Sequence, residues 1–115
     1  MFPEIPEIKS IAAPILVSPI MGSYERVCIG AVSVIDGDVE VSVIGLPESI
    51  AKMSYQISMV AVQLRNYLEE GKSLSDFEPM LSDFFVGPEQ YGNFGTHERA
   101  IRTILRNHSF LWKGE

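Results

Sequence analysis

Apolar residues recur at spacings of three and four between Pro47 and Gly71. Ile50, Met53, Ile57, Val60, Leu64 and Tyr67 fall on one stripe, as in a helix that buries one face. The spacing predicts a helix over 47–70. Pro47 suits a first turn that needs no N–H, Glu48 suits the positive end of the dipole, and Gly71 suits the position just past the last turn. A second set, Tyr55, Met59 and Val62, lies outside the stripe and widens the apolar arc beyond what one sheet face covers. The C-terminal helix, the loop after Gly71 or another chain is expected against it.

Before this helix the pattern is that of strands. Residues 12–20, ending AAPILVSPI, are β-rich but contain Pro14 and Pro19; proline cannot donate to a ladder, so an edge strand is expected. RVCIGAVSVI, 26–35, is apolar at nearly every position, as a strand covered on both faces is. Asp36-Gly37 predicts a tight hairpin. In the strand that follows, 38–45, Val39, Val41 and Val43 alternate with Glu40 and Ser42, giving one buried and one wet face. Residues 1–9, with two prolines and two glutamates, read as an extended arm anchored by Ile5 and Ile8.

Residues 72–95 are ambiguous. Leu74, Phe77, Leu81, Phe84 and Phe85 suggest a helical stripe, but Pro79 interrupts it. The dense glycines and Pro88 favour a helical turn at 74–78, a strand at 83–87 and a loop GPEQYGNFG. Thr96 then reads as the N-cap of a helix over about 96–110, with Ile101, Ile104, Leu105, His108, Leu111 and Trp112 inward. Arg99, Arg102 and Arg106 share its outer face.

The expected fold is a single α+β domain spanning 1–115. An antiparallel meander of three strands, with a fourth near 83–87, packs against one long helix, and a second C-terminal helix covers the remainder. At 115 residues about two thirds of the unfolded surface can be buried without staples. The lone Cys28, set among Val, Ile and Ala, reads as an inert buried thiol. MFPEIPEIK has no basic region before an apolar run, and no window approaches the roughly 18 apolar residues of a membrane span. A soluble cytoplasmic protein is expected.

The formal net charge is −6. Residues 1–96 hold 13 acids and 5 bases, a balance of −8, whereas 97–115 hold 4 bases and 2 acids, a balance of +2. Such a body disfavours nucleic acid and fits a basic partner.

Candidate chemistry is sparse. GNFGTHER brings Thr96, His97 and Arg99 to a helix start, an imaginable anion site without the spacing of the established phosphate loops. His97 and His108 are eleven residues apart, about 16 Å along one helix, too far to share an ion. His97 reads as exposed at the cap. Asp36/Asp38 and Asp76/Glu78 are carboxylate pairs explained by turns, and no GxSxG-type turn marks a nucleophile. No catalytic set, metal site or cofactor is expected.

Two function classes remain. The first is a non-catalytic interaction module, an accessory, adaptor or immunity-like inhibitory subunit of a bacterial or phage-type system. It would meet a protein partner, in a homo-oligomer or a heteromeric complex, through Tyr55, Met59, Val62, Arg99, Arg102 and Arg106. The second is a small-ligand or anion-binding domain, with or without catalysis, built on Thr96, His97 and Arg99. Attachment of nucleic acid to the arginine row ranks below both.

Overall fold

The computed structural model describes residues 10–18, 26–44, 53–81, 83–92 and 94–108. The arm at 1–9, the helix start at Pro47 to Ile50, and Leu111 and Trp112 lie outside the described residues. Strands β1 (Ser10–Val17), β2 (Val27–Ile35) and β3 (Asp38–Val43) form an antiparallel meander. Helix α1 (Ser54–Glu69) follows, then a 3-10 turn at Leu74–Asp76, strands β4 (Phe84–Val86) and β5 (Gln90–Gly92), and helix α2 (His97–His108). The sheet runs β3-β2-β1-β4, and β5 also pairs with β1.

The turn residues behave as their chemistry requires. Asp36 and Gly37 take φ of 51° and 84° between β2 and β3, the positive values a type I′ turn demands. Gly71 ends α1 at φ 82°, its N–H donating to the Leu68 carbonyl at 3.0 Å.

β1 is an interior strand, which corrects the expectation drawn from its prolines. Ser10 to Val17 pair with β2 on one side, while β5 pairs with 10–12 and β4 with 15–17 on the other. Between those two short strands the Pro14 carbonyl accepts the Gly87 N–H at 3.0 Å. A residue's amide and carbonyl leave a strand on the same side. The N–H that Pro14 lacks would therefore point where the neighbouring rim is already broken. The residues 87–95, expected to be loop, contain β5 for the same reason: two three-residue strands flank the proline where one long strand could not.

Each sheet face has its own helix. Ala13, Ile15, Val17, Val27, Ile29 and Val32 pack with Ile57, Val60, Leu64 and Leu68 of α1, together with Leu74 and Phe84. On the opposite face Ala12, Cys28 and Ala31 meet Ala100, Ile101, Ile104 and Leu105 of α2. Small side chains on both partners let α2 lie close to the sheet. The doubly apolar β2 is thus covered by the chain's own two helices, and no second polypeptide is needed for that. The surplus apolar area lies elsewhere, on the outer side of α1.

Candidate functional site

The outer side of α1 forms an apolar groove of about 620 Å³. Tyr55, Ser58, Met59, Val62 and Tyr67 give one wall, and the chain that returns after Gly71 gives the other, with Met80 at its lip. Tyr55, Val62 and Met80 are 74%, 59% and 55% exposed. Met59 is half-buried beside them. Large apolar side chains exposed singly are ordinary, but these border one concavity.

The far wall is held in place. The Gln63 side-chain amide donates to the Glu78 carbonyl at 3.1 Å and accepts the Met80 N–H at 2.8 Å, so one side chain fixes both ends of a short loop. Tyr67 donates its hydroxyl to the Ser73 carbonyl at 2.7 Å and meets Phe77 edge-to-face at 5.1 Å between centroids. Lys72 lies over the Tyr67 ring and pairs with Glu70 at 2.9 Å. The hydrogen bond to the Glu70 carboxylate, and then its charge, hold the Lys72 ammonium above its ordinary range. From Met53 to Leu81 the carboxylates Glu69, Glu70, Asp76 and Glu78 outnumber the bases Arg65 and Lys72.

A second groove, of about 490 Å³, runs along α2. Thr96, Glu98, Arg99, Arg102, Thr103 and Arg106 line it, so all three arginines of the predicted row share one concavity. Arg102 pairs with Glu98 at 2.9 Å, an i,i+4 bridge. Thr96 caps the helix, its hydroxyl oxygen accepting the Arg99 N–H at 3.2 Å. Thr96 and Arg99 are thus brought together. His97 stands apart from this groove.

The His97 ring turns toward the sheet instead. Its Nε2 lies 2.8 Å from Asp38 Oδ2 and its Nδ1 contacts Ser33 Oγ. A carboxylate only accepts, so Nε2–H donates to Asp38, and Nδ1 of the neutral ring accepts from the Ser33 hydroxyl. The expected exposed cap residue is a half-buried one, 18% exposed at the side chain. The order hydroxyl–imidazole–carboxylate is that of a hydrolase triad, but the two ring nitrogens are exchanged, and Ser33 is 0% exposed. A substrate carbonyl has no path to that oxygen, and the three groups act as a clamp joining β2, the hairpin and the start of α2. His97→Ala should leave the buried Ser33 hydroxyl unpartnered and lower stability by about 1–3 kcal/mol; urea unfolding checks this, with an unchanged midpoint counting against the clamp.

His108, expected on the inner face, is exposed. It continues the stripe by four from Ile104 but stands at the last residue of α2, beyond the packed part of the helix. Cys28 is buried, its thiol donating to the Gly30 carbonyl at 3.3 Å. Among the described residues no three His, Cys, Asp or Glu side chains gather as a metal-ligand group. No helix among them is long and apolar enough to cross a membrane. The chain matches no known protein family, no curated protein and no solved structure.

Proposed function

We propose that this chain is a non-catalytic protein-interaction module, an accessory or adaptor subunit, that docks a basic amphipathic helix of a partner protein against α1. The observation that carries this is the groove bounded by Tyr55, Met59, Val62 and Met80, with its far wall fixed by Gln63. A preformed wall lowers the ordering cost of association. Tyr55, Met59 and Val62 are spaced four and three apart, the ridge into which a second helix packs. Met59 and Met80 supply the adaptable contacts that irregular partners need. The net charge of −6, and the excess of carboxylates over bases between Met53 and Leu81, favour a cationic partner.

The test is titration calorimetry with a short leucine–lysine amphipathic helix and its leucine–glutamate counterpart, on the whole chain and on Val62→Glu. The lysine peptide should bind saturably, and Val62→Glu should weaken it by about tenfold or more, roughly 1.4 kcal/mol. No saturable binding, or binding indifferent to Val62→Glu, would refute the reading. A dimer in light scattering that Val62→Glu dissociates would assign the face to a second copy and overturn the proposed partner.

A further inference from the structure

We infer that the groove along α2 is a separate binding site for an acidic peptide segment. It does not depend on what docks against α1. Among the described residues three guanidinium groups share the concavity with one carboxylate, Glu98, and that carboxylate is already engaged by Arg102. Among the described residues Arg99 and Arg106 have no carboxylate partner, so the lining carries a net charge of +2 to an incoming ligand. Each guanidinium presents a planar fork that receives a carboxylate with two hydrogen bonds. Their backbones are two helical turns apart, about 10.5 Å. Two carboxylates on successive same-side positions of a peptide, with the reach of their side chains, can engage both.

Three considerations favour a peptide over a nucleic acid. Among the described residues no aromatic side chain lines the groove to stack a base. Among the described residues the basic track runs only from Arg99 to Arg106, whereas backbone binding of a polynucleotide draws on many phosphates. The chain as a whole is at −6, which repels a long polyanion along its length. A short acidic segment is less exposed to that repulsion, because charges farther than about 8 Å are largely screened at physiological salt while contacts inside the groove are not. With the apolar groove of α1, this gives the domain two surfaces of different character, suited to joining two different partners.

The experiment is fluorescence polarisation of a labelled hexaglutamate peptide at about 0.15 M salt, against the whole chain, the double variant Arg99→Gln/Arg106→Gln, and Arg65→Gln on α1 as the control. The peptide should bind saturably. The double variant should raise its Kd about tenfold or more, Arg65→Gln should leave it unchanged, and about 0.5 M salt should abolish it. Both replaced arginines are exposed, so an unchanged thermal midpoint confirms that the variant folds. Absence of saturable binding, or equal binding by the double variant, overturns the inference. So does tighter binding of an oligothymidylate of similar charge, which would assign the groove to nucleic acid. Full displacement by equimolar inorganic phosphate would reduce it to a simple ion site and also overturn it.

Discussion

Gly30→Ala should destabilise the sheet by about 3 kcal/mol or more, at the upper end of what overpacking costs, and lower the melting temperature by on the order of 10 °C. Gly30 lies opposite Val43 in the β2–β3 pair. A Cβ there would overlap the Ser42 carbonyl oxygen and lie 3.2 Å from both the Ser42 carbonyl carbon and the Val43 Cα. Those atoms belong to the paired backbone, so no rotamer change relieves the clash and the β2–β3 ladder itself must shift. The comparison variant is Gly37→Ala in the hairpin. There a Cβ meets nothing within 4 Å, but φ is +84°, so only the left-handed conformation is penalised, by about 1–2 kcal/mol. Urea unfolding of the pair separates contact from conformation. An alanine at 30 as stable as the parent would show that β3 does not approach β2 so closely.

Leu64→Ala should cost about 2–5 kcal/mol, a large share of the roughly 5–15 kcal/mol that holds a domain together. Leu64 is 0% exposed, and Ile57, Val60 and Leu68 are buried on the same side of α1. Truncation there leaves a cavity lined by side chains from the helix and the sheet. Val62→Ala, two residues away on the groove side, should change stability by no more than about 0.5 kcal/mol, because Val62 is 59% exposed. Two aliphatic truncations on one helix therefore separate the face that stabilises the fold from the face that is free to bind. If both cost the same in denaturant titration, the division of α1 into an inner and an outer side is wrong.

That division was readable before any coordinates, because both sets of residues are periodic in one helix. So were the hairpin at Asp36-Gly37, the helix stop at Gly71 and the two-sided burial of β2, each fixed by local chemistry. Pro14 misled because the rule confining proline to an edge assumes an unbroken neighbour, and here the neighbour is split into β4 and β5. QYG in β5 is exposed and three residues long, so no periodicity announces it. Nor could the stripes say that α1 and α2 take opposite faces; that follows from Ala12, Ala31 and Ala100 leaving room for α2. The clamp on His97 joins residues 64 and 59 positions away, and the Gln63 bonds span 15 and 17. Side-chain contacts at such separations leave no spacing in the sequence to detect.

The split opposite Pro14 also bears on whether copies of this protein can polymerise. Growth of a fibril needs an uninterrupted row of free amides and carbonyls to seed each incoming chain. On the β4/β5 side that row is cut into two three-residue pieces at the very place where a proline has no hydrogen to give. β3 offers six residues on the other side, two of them the anionic Asp38 and Glu40. Among the described strands, addition could therefore proceed from one side at most, and a sheet with a single growing side closes as a pair instead of extending into a filament.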